Sequence, residues 1–255
     1  MKLATWNVNS LNVRLPHVLD WLASEQPDVL CLQETKQEDG KFPYEALAAA
    51  GYPGIHTGQK TYNGVAILSR HALTEPLFAI PKFADEQKRL IAATVGDIRV
   101  VCAYIPNGQS LDSDKYQYKL GWLKALTDWL GEELRKYPKL VLLGDYNIAP
   151  EDRDVHDPKA WEGQVLVSAP EREAFQKLVG LGLHDSFRLY EQAEGSYSWW
   201  DYRMAGFRRN LGMRIDHILV STPLVPNCKA SWIDKAPRKL ERPSDHTPVV
   251  LEINP

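Results

Sequence analysis

The sequence predicts an α/β fold in which β-sheets pack between outer helices. Short apolar runs rich in Val, Ile and Leu are bounded by turn residues, as buried strands are. Helical periodicity appears between some of these runs. Strand and helix alternate at first, several strands then follow one another, and the alternation returns near the end. That mixed order favours sheets enclosed by helices over a regular parallel doubly wound sheet.

Apolar runs at eight places are predicted to be strands: Lys2–Trp6, Asp28–Leu32, Gly64–Leu68, Leu90–Val95, Ile98–Tyr104, Lys139–Leu143, Ile215–Val220 and Thr247–Ile253. Three helices are predicted: Leu15–Ser24, Glu171–Val179, and one that begins near Lys115. The third rests on four leucines spaced by three and four positions: Leu123, Leu126, Leu130 and Leu134. The long polar loops Asn107–Asp114 and Ala149–Ser168 are candidates for function, because such loops often carry it.

The composition is that of an ordinary soluble globular protein, with 44% hydrophobic and 25% charged residues. A length of 255 residues suits one α/β domain, so a single domain over residues 1–255 is expected. No stretch approaches the roughly 18 apolar residues of a membrane span, and no secretory signal is recognisable. We therefore expect a cytoplasmic protein with no membrane partner. The net charge of −3 argues only mildly against a nucleic-acid partner, since a local basic patch can override it.

The cysteines predict no metal or catalytic site. Cys31, Cys102 and Cys228 are odd in number, far apart and set in apolar surroundings, so buried free thiols are expected. The sequence motifs of serine hydrolases, zinc proteases and P-loop enzymes are absent as well.

Polar side chains stand at the ends of one predicted strand after another: Asn7, Gln33, Glu34, Tyr104, Asp145, Asn147, Asp216, His217, Asp245 and His246. A carboxylate or amide against an apolar strand costs several kcal/mol, by order of magnitude, unless it is paired or bound to a cation. The repetition of one chemical type at strand ends predicts that these side chains converge on one crevice.

These residue types suit metal-assisted hydrolysis of a phosphodiester. Asn7, Glu34 and Asp245 supply hard oxygen ligands, which fit Mg²⁺ or Mn²⁺ better than zinc. An Asp bonded to His246 would fix the tautomer of that histidine and keep its charge available to a phosphate oxygen. A second Asp near the metal could exchange a proton with water or with the leaving oxygen.

Each of these residues also has a simpler explanation when it is taken alone. Asn7 could cap a turn, Glu34 could pair with Lys36, and His217 could be a satisfied, partly buried histidine. The recurrence of such residues at each strand end is what favours a shared site.

The segment Ser196–Arg214 carries five aromatic residues and four arginines, with Asp201 as its only acid. Aromatic rings among arginines suit a surface that holds phosphates and stacks on bases or sugars. One of the adjacent Trp199 and Trp200 is expected to point inward. The shorter basic run Lys235–Arg242 is explained equally well by a solvated loop.

Seven blocks of the sequence resemble the signature motifs of the exonuclease III family, in the family's order and over nearly the whole chain. They are Trp6–Asn9, Leu32–Lys36, Tyr62–Ala66, Leu143–Asn147, Ser198–Arg203, Arg214–Asp216 and Pro243–His246. The resemblance implies a four-layer α/β/β/α sandwich like that of DNase I. It also implies an enzyme that acts on double-stranded DNA, and the expected cofactor is Mg²⁺, with Mn²⁺ as a substitute. A monomer is expected because nothing in the sequence indicates an obligate interface. The implied activities are 3′→5′ exonuclease, cleavage at abasic sites and removal of 3′-phosphates.

The resemblance further implies roles for single residues. Glu34 would be the principal metal ligand, and Asp145 would transfer a proton. The implied metal-binding set is Asn7, Glu34, Asp145, Asn147, Asp245 and His246. The implied catalytic set is Tyr104, Asp145, Asn147, Asp216 and His246. In this set Tyr104 and Asn147 would position the phosphate and the attacking water, and Asp216 would orient His246. The implied DNA-binding set is Trp199, Trp200, Arg203, Met213 and Ile215, of which Trp199, Met213 and Ile215 would line the pocket for the sugar.

Some positions depart from branches of the family. Met213 stands where some abasic endonucleases have Trp, Asn9 where some have Asp, and Trp200 replaces a frequent Phe. The loop Trp161–Pro170 varies among members, and a bulky side chain there could exclude a flipped-out abasic sugar while sparing the trimming of 3′ ends. These differences bear on the balance of activities.

Two other functions compete with a DNA nuclease. The same fold could hydrolyse a phosphoinositide or sphingomyelin headgroup, but the Trp/Arg segment and the lack of a membrane-binding amphipathic stretch argue against it. A DNA-binding scaffold on an inactive nuclease fold would require the loss of Glu34, Asp145, Asp216 or His246, and all four are present.

Overall fold

Two six-stranded sheets pack face to face in the computed structural model, which describes residues 1–254. Along the chain the strands and α-helices are β1 Lys2–Asn7, α1 Leu11–Glu25, β2 Val29–Gln33, α2 Tyr44–Ala49, β3 Gly54–Thr57, β4 Val65–Ser69, β5 Thr74–Leu77, β6 Leu90–Val95, β7 Ile98–Tyr104, α3 Asp114–Lys136, β8 Leu140–Asp145, α4 Pro158–Trp161, α5 Ala169–Gly180, β9 Leu183–Asp185, β10 Trp199–Trp200, β11 Gly212–Met213, β12 Asp216–Ser221, β13 Cys228–Ile233 and β14 Val249–Ile253.

The first sheet has the strand order β13-β14-β1-β2-β4-β3, and the second has β5-β6-β7-β8-β12-β9. The pairs β1–β2 and β7–β8 are parallel. The neighbouring pairs around them are antiparallel, and β10 and β11 form a separate antiparallel pair. The sheets are therefore mixed, as the order of elements along the sequence predicts.

The layers follow from the alternation of side chains along each strand. In β2, Val29 and Cys31 face the core between the sheets, whereas Leu30 and Leu32 face the helices on the outer side. Helix α1 covers the first sheet, and α3 and α5 cover the second, where Trp122 and its neighbours pack. This arrangement confirms the predicted four-layer α/β/β/α sandwich.

All eight predicted strands and all three predicted helices are present, with ends shifted by a few residues. Helix α3 begins at Asp114 because the Ser113 hydroxyl accepts the N–H of Lys115 at 3.0 Å. The sequence did not predict the short strands β3, β5, β9, β10 and β11, the strand β13, or the short helices α2 and α4. These elements are brief or partly exposed, so their apolar pattern is weak.

Strand register brings the predicted polar residues to one edge of the sandwich. Asn7 lies opposite Gln33 at the ends of β1 and β2. Asp145 lies between Tyr104 at the end of β7 and Asp216 at the start of β12. Both sheets therefore present these side chains at the same edge.

Two further expectations can be compared with the fold. Within residues 1–254, no helix is long and apolar enough to span a bilayer. Cys31 and Cys102 are buried free thiols, as predicted, whereas Cys228 is free and only partly buried.

Candidate active site

The polar side chains at this edge meet in one cluster that joins the two sheets. The Asn7 side-chain amide donates to Glu34 Oε1 and to Asp145 Oδ2, each at 2.9 Å. Ligand atoms of Glu34, Asp145 and His246 all lie within 4.8 Å of one another. The crevice predicted from the strand ends is therefore present.

Two residues of the cluster have left-handed backbone conformations. Glu34 has φ 51° and Asn147 has φ 50°. Such conformations cost roughly 1–3 kcal/mol for a non-glycine residue, and asparagine tolerates them better than most residues. The turn at Glu34 is held by two backbone hydrogen bonds: the N–H groups of Thr35 and Lys36 donate to the carbonyls of Gly64 and Asn63, which immediately precede β4. The Glu34 side chain thus enters the crevice in the residue that immediately follows the buried strand β2.

Asp145 and Asn147 are held by a dense set of hydrogen bonds. The Asn147 N–H donates to Asp145 Oδ1 at 2.9 Å, and its side-chain amide donates to the Ile105 carbonyl at 2.9 Å. The Asn107 amide donates to Asn147 Oδ1 at 3.1 Å. Burial, helped by the Asp216 charge, raises the pKa of Asp145 to about 7, although the His246 charge and the hydrogen bonds from the Asn7 side chain and the Asn147 N–H oppose the rise. Asp145 can therefore exchange a proton near neutral pH.

His246 is bonded to Asp216, as the family resemblance implies. His246 Nδ1 lies 2.9 Å from Asp216 Oδ2, and Nε2 faces Asp145 Oδ2 at 3.7 Å. Burial alone would lower the pKa of His246, but the charges of Asp216, Asp145 and Asp245 raise it to about 10. The imidazole is consequently protonated at neutral pH and is a cationic donor.

Tyr104 lies partly buried beside the carboxylates. Burial, followed by the negative charges of Glu34 and Asp145, raises its pKa well above the usual range. The Arg89 guanidinium lies over its ring at 4.7 Å. Its hydroxyl therefore stays protonated and can donate a hydrogen bond to an anionic substrate.

The donor set fits a hard divalent cation. Glu34 and Asp145 present carboxylate oxygens within one group, and Glu34 is partly exposed, which leaves room for water and substrate oxygens. Lys36 Nζ lies 3.2 Å from Glu34 Oε2 in an ion pair. The simpler explanation of Glu34 as a partner of Lys36 thus holds as well.

The other predicted metal ligands stand in different positions. Asn7 turns its amide nitrogen toward the carboxylates, while its oxygen accepts the N–H of Asn9. Asp245 lies outside the Glu34–Asp145–His246 group and accepts hydrogen bonds from the side chains of Asn9 and Trp199, each at 3.0 Å. Asn7 therefore supports the carboxylates, and Asp245 fixes the neighbouring loop.

Next to the cluster lies a cavity of about 260 Å³ whose lining includes Trp161, Trp199, Met204 and Leu211. Met213 and Ile215, which were predicted to line the sugar pocket, do not line this cavity. They are 0% and 2% exposed and belong to one apolar cluster with Leu166 and Val167, against which Trp199 packs. Of the predicted DNA-contacting residues, Trp199 and Arg203 line this cavity; Trp199 is partly exposed and Arg203 is exposed.

The structure corrects the prediction that Trp200 contacts DNA. Its side chain is 0% exposed, its Nε1 donates to Asn210 Oδ1 at 3.0 Å, and its ring packs edge-on against Phe207. Trp200 is therefore a core residue of the segment, and Trp199 is the outward member of the pair. Arg203 is exposed, in an ion pair with Asp201.

Two arginines, one in the segment Ser196–Arg214 and one in the basic run Lys235–Arg242, are buried. Arg214 is buried between Asp154 and Asp185, at 2.7 and 2.8 Å. Arg238 is buried and donates to the Ser244 carbonyl at 3.0 Å. The exposed arginines of the segment Ser196–Arg214 are therefore Arg203, Arg208 and Arg209, of which Arg203 lines the cavity.

Ser198 is a site residue that sequence reasoning missed. Its hydroxyl donates to Asp216 Oδ2 at 2.7 Å and accepts the N–H groups of Ile215 and Asp216 at 3.1 Å. It lies within a recognised motif, but a serine without a neighbouring base gives no chemical signal. His217, in contrast, is a satisfied buried histidine, as the simpler explanation proposed, with Nε2 2.8 Å from the Ile148 carbonyl.

Comparisons with known proteins agree with this geometry. The Endonuclease/Exonuclease/phosphatase family matches residues 4–246. The chain is 38% identical to the exodeoxyribonuclease III of Haemophilus influenzae, with 99% of each sequence covered. A 3′-5′ exonuclease (NExo) from Neisseria meningitidis is 50% identical, with a TM-score of 0.98. An AP endonuclease from Archaeoglobus fulgidus is 39% identical, with a TM-score of 0.97. Each of these two matches covers 100% of this chain and 100% of the other.

A further solved structure contains DNA. It is a Neisseria NExo described as a 3′ phosphatase and bound to a product DNA hairpin. It is 49% identical to this chain, with a TM-score of 0.98, and the match covers 100% of this chain and 99% of that one.

Proposed function

This chain belongs to the endonuclease/exonuclease/phosphatase family, and from that premise we propose how its site works. The protein is a DNA-repair nuclease that hydrolyses phosphodiester bonds. We propose that it degrades duplex DNA from 3′ ends, and that it also cleaves at abasic sites and removes 3′-phosphates. The names of its relatives, an exodeoxyribonuclease III, a 3′-5′ exonuclease and an AP endonuclease, support this range.

One observation supports the chemistry best: Asp145 lies between the Asn7–Glu34 pair and the charged His246. Its oxygens contact the Asn7 amide at 2.9 Å and face His246 Nε2 at 3.7 Å. A carboxyl group with a pKa near 7, beside a fixed positive charge, suits proton transfer at a phosphate. The scaffold alternative is weakened because Glu34, Asp145, Asp216 and His246 form one connected group.

The family is metal-dependent, and we propose Mg²⁺ as the ion, with Mn²⁺ as a substitute. Glu34 would be its principal ligand, with Asn7 beside it fixing the Glu34 carboxylate. The metal would neutralise charge on the phosphate and lower the pKa of water.

The remaining roles belong to the side chains of this chain. We propose that Asp145 takes the proton of the attacking water or returns one to the leaving oxygen. His246, held by Asp216, directs its positive charge to a phosphate oxygen. Asn147 and the protonated Tyr104 donate hydrogen bonds to the phosphate. Charge develops where these donors already lie, so little reorganisation is needed.

We propose double-stranded DNA as the partner, with the sugar at the cut received beside Trp199. Arg203, Arg208 and Arg209 would bind the phosphate backbone. We further propose that residues 1–255 form one domain that acts as a monomer in the cytoplasm. The single core shared by both sheets supports the first point, and relatives that are bacterial DNA nucleases support the last.

The balance among the activities depends, in this proposal, on the loop Trp161–Pro170. Trp161 and Val165 pack against the apolar cluster that includes Trp199, so changes there alter the cavity that would receive the sugar. An assay of recessed, abasic and 3′-phosphate duplexes, side by side, measures this balance.

The decisive experiment is digestion of a 5′-labelled recessed duplex. With Mg²⁺, the wild-type protein should shorten the labelled strand from its 3′ end. Asp145→Asn and Glu34→Gln should lower the rate by roughly 100-fold or more, as the loss of an acid–base group or a metal ligand does. Glu34→Gln should in addition weaken Mn²⁺ binding measured by calorimetry, whereas Glu38→Gln, a matched exposed control, should not.

A rate equal to that of the wild-type protein in Asp145→Asn and Glu34→Gln would overturn the residue assignment. No cleavage of any of the three duplexes by the wild-type protein, with either metal, would overturn the function itself.

A further inference from the structure

A buried ion pair lies directly behind the site. Lys119 on α3 and Glu171 in the first turn of α5 are both 0% exposed, and their charged groups are in hydrogen-bond contact. Burying two charges is costly, and an apolar pair of the same volume is often as stable or more stable. The pair therefore calls for a reason beyond stability.

The ammonium of Lys119 contacts both loops that carry donors into the site. It donates to the Asn147 carbonyl at 2.7 Å and to the Asn107 carbonyl at 3.1 Å. Its third N–H goes to Glu171 Oε1, so all three donors are used. Asn107 and Asn147 are themselves joined through their side chains at 3.1 Å. Lys119 thus fixes the backbone from which the Asn147 side chain enters the cluster.

The carboxylate of Glu171 holds a different loop. Oε1 accepts the N–H of Leu166 at 3.0 Å, and Oε2 accepts the N–H and the hydroxyl of Ser168 at 3.1 and 2.6 Å. The Ser168 contacts are an ordinary helix capping box. The Leu166 contact is not part of that box, and it holds Leu166 in a left-handed conformation with φ 78°.

Leu166 connects this carboxylate to the apolar cluster against which Trp199 packs. Its side chain belongs to the apolar cluster with Met213, Ile215 and Trp199, and its carbonyl accepts the N–H of Ala149 at 2.9 Å. One ion pair therefore touches the Asn147 turn on one side and, on the other, a residue of the apolar cluster against which Trp161 and Trp199 of the cavity pack.

We infer that Lys119 and Glu171 are positioning residues that hold Asn147 and the loop 161–170 in register with each other. Neither residue touches substrate. Lys119 sets where Asn147 presents its amide, and Glu171 sets the shape of the cavity next to it. This inference rests on the proposed nuclease function for its kinetic consequences, but not for its structural ones.

The test uses the double variant Lys119→Met/Glu171→Gln, which removes both charges and so leaves no unpaired ion in the core. On a recessed duplex with Mg²⁺, well below the melting temperature, we expect kcat to fall by roughly 10- to 100-fold with KM changed less than about twofold, since small misplacements of positioning groups cost that much. The ratio of abasic-site cleavage to 3′-end trimming should also change. A loss of folded protein alone would lower all rates by one factor.

The chain offers a matched control. Arg99 and Glu133 form another buried ion pair, with Nε and Oε1 2.8 Å apart. Arg99 lies opposite Leu140, at the start of β8, whereas Asp145 stands at the other end of that strand. Arg99→Met/Glu133→Gln should leave kcat and the ratio of activities unchanged.

A second measurement does not depend on activity. Hydrogen exchange at the amides of Asn147, Leu166 and Ser168 should be at least tenfold faster in Lys119→Met/Glu171→Gln than in wild type, and unchanged in the control pair. If that variant fails to fold, Glu171→Gln alone, which keeps the shape of the side chain, should show faster exchange at Leu166 and Ser168.

Unchanged exchange at these amides in the double variant, or a kcat equal to that of the control pair, would overturn the inference. The nuclease function would still stand, provided that the wild-type protein cleaves DNA. Failure of the wild type to cut DNA would overturn the function, and the exchange data would still decide the positioning role.

Discussion

At the scale of single residues, the site depends on the balance of charge around one buried carboxylate. Asp145 is 1% exposed, and it is flanked by a neutral amide donor from Asn7 and by the cation His246. Asp216 keeps that cation charged, and Ser198 fixes Asp216. Removal of the Asp216 or Asp145 charge lowers the pKa of His246, and removal of the His246 charge raises the pKa of Asp145.

Asp216→Asn should lower activity most at alkaline pH. The Asp216 charge helps to raise the pKa of His246 to about 10, so His246 stays protonated as pH rises through the neutral range. Without that charge the pKa falls, and the alkaline limb of kcat/KM should move to lower pH by at least about one unit. Rates from pH 6 to 10 provide the measurement. Asp128→Asn, an exposed carboxylate on α3, is the control, and an alkaline limb that stays in place would contradict the assigned role of Asp216.

At the scale of elements, alternation along a strand separates two neighbouring tryptophans. In β10, Trp199 turns toward the cavity and Trp200 turns into the core. The β10–β11 pairing places Trp199 opposite Met213, and a bridge joins Trp199 to His246. This short strand therefore fixes the cavity relative to the catalytic cluster.

Trp199→Ala and Trp200→Ala should have opposite consequences. Trp200→Ala should cost about 3–5 kcal/mol of unfolding free energy, as expected for a fully buried Trp, with KM for duplex DNA little changed. Trp199→Ala should cost much less stability but raise KM roughly tenfold, since the stacking of a ring on a nucleotide contributes about 1–3 kcal/mol. Urea unfolding and steady-state kinetics provide the two measurements. The reverse pattern would show that Trp200, not Trp199, meets the DNA.

At the scale of the whole molecule, a buried network joins segments that lie far apart in sequence. Arg214 contacts Asp154 and Asp185, and one of its N–H groups donates to His217 Nδ1 at 3.1 Å. His217 Nε2 must then carry the proton that goes to the Ile148 carbonyl. Protonation of Nδ1 would face the guanidinium, and burial together with Arg214 lowers the pKa of His217 to about 4.

This network predicts a loss of stability in mild acid. Between pH 6.5 and about 4 the unfolded chain binds a proton at His217 that the folded protein does not, so stability is present above pH 6.5 and falls as pH decreases through that window. From pH 7 to pH 5 the loss should be about 2 kcal/mol. In His217→Gln, which cannot titrate, urea unfolding should show that much less pH dependence. The same dependence in both proteins would mean that another group is responsible.

Much of the fold could be predicted because it depends on local patterns. The buried strands β1, β2, β4, β6, β7, β8, β12 and β14 are apolar on both faces, so each appears in the sequence as a short continuous run. Edge strands such as β5 and β13 are partly exposed and lack that pattern. Their pairing depends on neighbours that are distant in sequence.

The chemistry of the site could be inferred from the sequence, which supplies the residue types, their placement at strand ends and the family that their motifs resemble. Which of these residues meet depends on three-dimensional packing. Asn7 and Asp145, separated by 138 positions, are joined because two sheets pack face to face, and the same packing leaves Asp245 to one side. It also turned Trp200 inward and placed Lys119 behind Asn147. Side-chain direction and long-range contact arise from packing, and no local pattern encodes them.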